Sequence, residues 1–362
     1  MCADWYQDCV IKLSKDGDSL AYEQRLLQYL KTHGRGLFAA PLLKDILCLT
    51  GSDRDLVAVA DGGGAVPLSE HARFRADCFT HAMALERGTV NFKDVVRTGG
   101  LGVNEQRVMA ERAVKIVEAA HGAGLVLVDF KLANIVKGFR RESDGDHVTK
   151  YVDLDSALLR DQLLPEAVGA TMTTMAPELL QARRFAGQVA SPRIDLWSLA
   201  LVLFEIVTGA SFWEACFGIS EYGADSAACI EAKLAELAAD QCLVDDALSR
   251  FFAGSGRDSL PLRQLSAVLL DLLRVNPAQR KLPTDVLQHS LFAGVVSASS
   301  SVADSGSAAA AAAAGLLHKD LLDLQAALGS RLDRGFWAVG ADIRDAVVDM
   351  VQASGGGGAA NS

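Results

Sequence analysis

The stretch GLVLVDFKLANIV, residues 124–136, constrains this chain more than any other. Two runs of Val, Leu and Ile flank three strongly polar side chains, Asp129, Lys131 and Asn134. Burying such groups without partners is costly, so they belong to a turn leaving a strand, where partners or a ligand can satisfy them. A further acid, Asp153, ends a later β-branched run, HVTKYVDL, residues 147–154. Asn134 and Asp153 are hard oxygen donors of the kind that Mg²⁺ takes. Asp129 can accept a proton from a hydroxyl, and Lys131 can neutralise charge on a phosphate oxygen. A metal clamp, a cation and a positioned base together suit phosphoryl transfer.

The surrounding pattern is mixed. CVIKL (9–13) reads as a short strand, KDGD (15–18) as a turn, and SLAYEQRLLQYLKTHG (19–34) as a helix with Leu20, Leu27 and Leu30 near helical spacing. Residues 36–80 read as sheet with an irregular insertion, DGGGAV being an insertion turn. From about residue 105 an amphipathic helix carries Met109, Ala113, Ile116, Val117 and Ala120 on one face. LVLV, NIVKGF and HVTKYVDL follow as short strands, the last two joined across an Asp-Gly turn signal. Beyond residue 178 the chain reads as helical to about 293, and the helix opening at Asp195 is apolar on nearly every side, hence buried all round.

Net charge is −10, which argues against a nucleic-acid binder held by phosphate contacts and against a surface bound to anionic lipid. The 7 cysteines are scattered and form no C-x-x-C pair, so a disulfide framework or structural zinc site is not expected and a reducing, cytoplasmic setting is. The N-terminus lacks a signal-peptide core, and the most apolar helix, interrupted by Glu205, is too short to span a membrane.

Several segments together carry a family resemblance. VDFKLAN resembles the protein-kinase catalytic loop, with Asp129 and Asn134 matching in kind and spacing. VDLDSA (152–157) resembles the segment bearing the magnesium acid, here Asp153; TMTTMAPELL (171–180) contains A-P-E at Ala176, Pro177 and Glu178. RIDLWSLALVLFEIVTG (193–209) resembles the buried helix whose leading acid, Asp195, holds the catalytic-loop backbone; Arg280 falls where the family's Arg pairs with Glu178. Upstream, Lys12 in VIKL resembles the phosphate-binding lysine and Glu23 its salt-bridging partner, while AMALERGTVNFKDVV resembles the hinge, with Leu85, Glu86 and Arg87 near the adenine.

The resemblance implies an α+β, two-lobed protein-kinase-like fold: a truncated small β-rich lobe over 1–90, a large mainly helical lobe over 91–295, a low-complexity linker over 296–315, a helical tail over 316–352 and a disordered end over 353–362. It implies ATP and Mg²⁺ as cofactors and a protein hydroxyl as acceptor. Asp129, Lys131, Asn134, Asp153 and Thr171 would be catalytic, with Asn134 and Asp153 holding metal and Lys12, Glu23, Leu85, Glu86 and Arg87 binding nucleotide. Lys131 and Thr171 together resemble the serine/threonine branch. The tail is a candidate docking helix, for the kinase body or a partner, through Leu317, Leu321, Leu324 and Leu328.

The departures also have consequences. The few residues before Lys12 leave no room for the family's glycine-rich hairpin, so the sequence is expected to be a fragment or to handle nucleotide without that lid. Leu127 and Val128 stand in the His and Arg places, so activity is expected not to depend on a phosphate docked there by Thr171, Thr173 or Thr174. Asp155 replaces the Gly of the magnesium-acid segment. These departures leave open a second reading, a pseudokinase scaffold without turnover. Purely structural roles also stay open: Asp129 and Asn134 as turn residues, Lys131 as a surface lysine, Asp153 as an N-cap or turn acid, Lys12 as a solvated edge lysine, Glu23 as a solvated helix residue, and Asp195 as an N-cap.

Overall fold

The computed structural model describes residues 9–14, 17–32, 38–40, 42–48, 57–59, 65–67, 81–140, 147–165, 169–182, 188–254 and 260–292. The expected linker, helical tail and disordered end lie outside the described residues, as do Gly62 to Gly64 of the expected insertion turn. Among the described residues the chain divides into two compact units, with the boundary between Gly88 and Thr89.

In the first unit, β1 (Cys9–Ser14), α1 (Gly17–Thr32), β2 (Leu42–Cys48), β3 (Val57–Val59), β4 (Ala65–Pro67) and β5 (His81–Glu86) follow in order. β5 is the central strand of an antiparallel β1-β5-β2 sheet, in register from Cys9 opposite Glu86 to Ser14 opposite His81. α1 packs on this sheet through buried Leu20, Leu26 and Leu30. Gly17 and Asp18, expected in a turn, form the first turn of α1. An acid there complements the partial positive charge of the helix N-terminus. The buried face of α1 includes Glu23, only 1% exposed, and a buried carboxylate requires a partner. Lys12 of β1 supplies it at 2.6 Å.

The second unit contains β6 (Val90–Asn91), α2 (Phe92–Thr98), α3 (Val103–Gly122), β7 (Leu125–Val126), β8 (Ile135–Arg140), β9 (His147–Tyr151), β10 (Leu158–Leu159), α4 (Pro177–Ala182), α5 (Arg193–Thr208), α6 (Phe212–Phe217), α7 (Ser226–Ala239), α8 (Gln241–Gly254), α9 (Leu260–Leu272) and α10 (Pro283–Leu287). α5 is its axis. Its residues from Ile194 to Phe204 are all buried, and α3 and α9 pack against it. α5 stops at Gly209, whose φ of 73° is the left-handed cap conformation that glycine adopts without strain. β6, β8 and β9 form an antiparallel sheet in that order. Gly138 in β8 passes so close to Thr89 that a Cβ there would lie 1.9 Å from Thr89 Oγ1.

Two charged clusters tie the helices together. Lys93 of α2 reaches Glu205 of α5 at 2.7 Å and Glu221 at 3.2 Å. Burial pushes the Glu205 carboxyl above its ordinary value; Lys93 opposes that shift, and Glu221 adds to it. Burial pulls the Lys93 ammonium down, but Glu205, with Glu221 and Tyr222, pulls it up, and the net shift is upward.

Arg280, fully buried, grips both carboxylate oxygens of Glu178 in α4 at 2.6 and 2.7 Å. Its Nε donates to Arg274 O at 2.8 Å, its Nη1 to Arg193 O at 2.7 Å, and the guanidinium lies 5.4 Å from the Trp197 ring centroid. Arg193 in turn donates to the Arg280 carbonyl. Removing one partner of a buried ion pair leaves an uncompensated charge, so Arg280→Ala should destabilise the chain by about 3–5 kcal/mol. A lowered urea midpoint at unchanged slope checks this.

Candidate functional site

The site is built on a turn held from below. The LVLV run is a strand only at Leu125 and Val126, because the next two backbone N–H groups turn away to α5. Leu127 N–H donates to Asp195 Oδ2 and Val128 N–H to Asp195 Oδ1, both at 2.8 Å. His121 at the end of α3 approaches Asp195 Oδ2 through Nε2 at 2.9 Å. Asp195 is fully buried and lies inside the first turn of α5 rather than at its N-cap, which is Pro192.

Val128 is bent into a positive φ of 64°, and Asp129 N–H closes a three-residue turn onto Leu127 O at 2.7 Å. A β-branched residue in that conformation is strained by about 1–3 kcal/mol. Asp195 offsets the strain by accepting the two N–H groups that the turn aims at it. The Val128 side chain, standing in the family's Arg place, is buried at 1% exposure.

The turn delivers Asp129, itself 1% exposed. Its Oδ1 accepts the Thr171 N–H at 2.6 Å and its Oδ2 the Lys131 ammonium at 2.8 Å. Lys131 also donates to Thr171 Oγ1 at 2.8 Å. Asp129, Lys131 and Thr171 therefore form a closed triangle linking two chain segments. The segment after Thr171 is pinned from two helices: Ser198 Oγ donates to Thr174 O and Trp213 Nε1 to Thr173 O, each at 2.7 Å.

Asn134 ends a short 3₁₀ turn, Leu132–Asn134, that opens β8. Its Nδ2 faces Tyr151 OH at 3.3 Å and Asp129 O at 3.5 Å, while Tyr151 OH donates to Asp129 O at 2.8 Å. β9 stops at Tyr151. Val152 N–H bonds instead to Asn134 O at 2.8 Å, and Asp153 follows with φ of 70°. This ends the expected strand HVTKYVDL early and sets Asp153 beside Asn134 in the backbone. Burial pushes the Tyr151 phenol well above its ordinary value, and the charges of Asp129 and Asp153 add to the shift, so both carboxylates act on one phenol.

Among the described residues no group of three or more His, Cys, Asp and Glu side chains could hold a metal ion. The Asn134–Asp153 pair offers one amide and one carboxylate. With Nδ2 committed, Asn134 turns Oδ1 away, and among the described residues no donor meets it. An amide oxygen and a carboxylate are hard oxygen donors of the kind that fits Mg²⁺.

Of the expected site residues, Asp129, Lys131 and Thr171 meet directly, Asn134 joins Asp129 through its backbone, and Lys12 meets Glu23. Lys12 and Glu23 are thus paired rather than solvated. Leu85 is buried opposite Val10, Glu86 ends β5 opposite Cys9, and Arg87 is exposed. Sequence reasoning missed His121, Tyr151, Ser198 and Trp213. Of these, His121 alone carried a signal, as a lone histidine closing an otherwise apolar helical face.

The model of the protein kinase domain family matches residues 79–292. This chain belongs to the protein kinase family. Lys12 and Glu23 fall outside the matched stretch. Over 244 residues the kinase is 26% identical to sperm motility kinase 3A of Mus musculus, covering 66% of this chain and 40% of that protein. It is 31% identical over 108 residues to ribosomal protein S6 kinase alpha-4 of Homo sapiens, covering 30% of this chain and 13% of that one. The chain thus spans less than half the length of these curated relatives. A crystal structure of the Rad53 kinase domain and SCD2 aligns with a TM-score of 0.46 at 17% identity, covering 78% of this chain and 81% of that one. The fold is the protein-kinase fold, a small β-rich unit and a larger, mainly helical one.

Asp195→Asn keeps one acceptor oxygen and turns an amide toward the other N–H of the Leu127–Val128 turn. It should destabilise the chain by about 1–3 kcal/mol. Hydrogen exchange at the Leu127 and Val128 amides, faster in the variant, checks it.

Proposed function

We propose that this kinase transfers the γ-phosphate of Mg-ATP to a serine or threonine hydroxyl of a protein. The observation that carries the reading is the closed triangle of Asp129, Lys131 and Thr171. Asp129 orients the acceptor hydroxyl and takes its proton. Lys131, positioned by Thr171, stabilises charge on the transferred phosphoryl group. Asn134 and Asp153 hold Mg²⁺, which when bound neutralises the phosphate oxygens. Lys12, paired with Glu23, contacts the α and β phosphates, and Leu85, Glu86 and Arg87 border the adenine.

The names of relatives support the serine/threonine assignment, among them serine/threonine-protein kinase 40 of Xenopus tropicalis, 29% identical over 115 residues. Among the described residues, Cys216, Cys229 and Cys242 are free thiols, which suits a reducing cytoplasm. No described helix is long and apolar enough to cross a membrane. We assign the small lobe to 1–90, the large lobe to 91–295, and a docking role, on the kinase body or a partner, to residues 316–352.

A scaffold without turnover is favoured by one observation, the extra carboxylate of Asp155 in the Gly place of the magnesium-acid segment. Phosphate transfer from labelled ATP to a generic basic protein separates the two readings. Asp129→Ala should lower the rate by about a hundred- to ten-thousand-fold. Transfer unchanged in that variant refutes the role of Asp129, and a wild type that binds Mg-ATP without transfer is a scaffold.

A further inference from the structure

Tyr151 belongs to none of the segments that carry the family resemblance, yet it touches two of the residues assigned above. It closes β9 opposite Ile135, fully buried, with its ring stacked on Phe130 at a centroid distance of 5.7 Å. A phenylalanine would fill the same space and stack on the same ring. What tyrosine adds is a hydroxyl, and a buried hydroxyl needs partners. Its partners are the Asp129 carbonyl, to which it donates at 2.8 Å, and the Asn134 amide, from which it accepts at 3.3 Å.

The direction of this chain of hydrogen bonds is fixed at one end. A carbonyl oxygen can only accept, so the phenolic proton goes to Asp129 O. The phenolic oxygen is then an acceptor toward Asn134, which must present N–H rather than C=O. The second N–H of the same amide faces Asp129 O at 3.5 Å, so a rotated amide would set two oxygens against each other. The backbone bond from Val152 N–H to Asn134 O, 2.8 Å, keeps the two strands in this register. The amide oxygen is thereby aimed away from the core.

We propose that Tyr151 is a positioning residue: its hydroxyl orients the Asn134 amide so that Oδ1 faces the divalent cation, while steadying the backbone that carries Asp129. This rests on the assignment of Asn134 as a metal ligand. Its effect is that a non-ligating phenol sets metal affinity from the side of the ligand facing away from the metal.

The test compares the full chain with Tyr151→Phe, using Mn²⁺ as the probe and a non-hydrolysable ATP analogue, with free Mn²⁺ read by electron paramagnetic resonance. The variant should bind Mn²⁺ about tenfold more weakly, with metal-free affinity for the analogue unchanged. A purely structural tyrosine would leave the Mn²⁺ affinity alone or weaken both together, and either result overturns the proposal. A wild type that binds Mn²⁺ with the analogue but transfers no phosphate removes the enzymatic reading and leaves this one standing. A wild type that binds no Mn²⁺ with the analogue overturns it together with the metal assignment. Should Tyr151→Phe fail to fold, side-chain amide exchange in the wild type decides. Protons of Asn134 that exchange far more slowly than those of exposed Asn104 and Asn276 support the proposal, and equal rates overturn it.

Discussion

The second unit depends on one buried carboxylate. Asp195 sits at the start of a helix that is apolar on nearly every side, where an unpartnered charge would be prohibitive. It is satisfied by two backbone N–H groups of the turn above and by His121. The same contacts hold Val128 in a left-handed conformation that its β-branched side chain would otherwise avoid. The fold thus uses one electrostatic requirement, a buried charge in need of donors, to meet another, a strained turn in need of restraint. Asp129 leaves that turn with its direction already set.

From there, order passes through short links. Asp129 reaches Thr171 directly and through Lys131, and the Thr171 segment is anchored by Ser198 of α5 and Trp213 of α6. Arg280 clamps Glu178, just beyond that segment, to the region around Trp197. α5 therefore supports the site twice, once through its acidic first turn and once through the hydroxyl one turn later. Val128, in the family's Arg place, is itself buried.

Much of this was legible in the sequence because it is local. Asp129, Lys131 and Asn134 are close together in the chain, and an apolar run interrupted by three polar groups demands an explanation. Glu178 with Arg280, and Lys12 with Glu23, were legible through the resemblance alone, since nothing in composition links residues so far apart. Tyr151 was not legible: a tyrosine near the end of a strand is ordinary, and its role exists only once β8 and β9 pair. Trp213 and Ser198 act on backbone carbonyls, which carry no sequence identity. The turn at Gly17–Asp18 was misplaced because Gly and Asp signal turns as readily as the first residues of a helix.

The central claim is the proposal that Asn134, whose amide reaches the Asp129 carbonyl, and Asp153, which follows the Val152–Asn134 backbone bond, converge on one divalent cation. A crystal structure of the full chain with Mg²⁺ and a non-hydrolysable ATP analogue tests it most directly. The account predicts one Mg²⁺ with Asn134 Oδ1 and an Asp153 carboxylate oxygen both at about 2.0–2.1 Å. A nucleotide-bound Mg²⁺ that neither residue contacts, or that only one of them reaches, would contradict it.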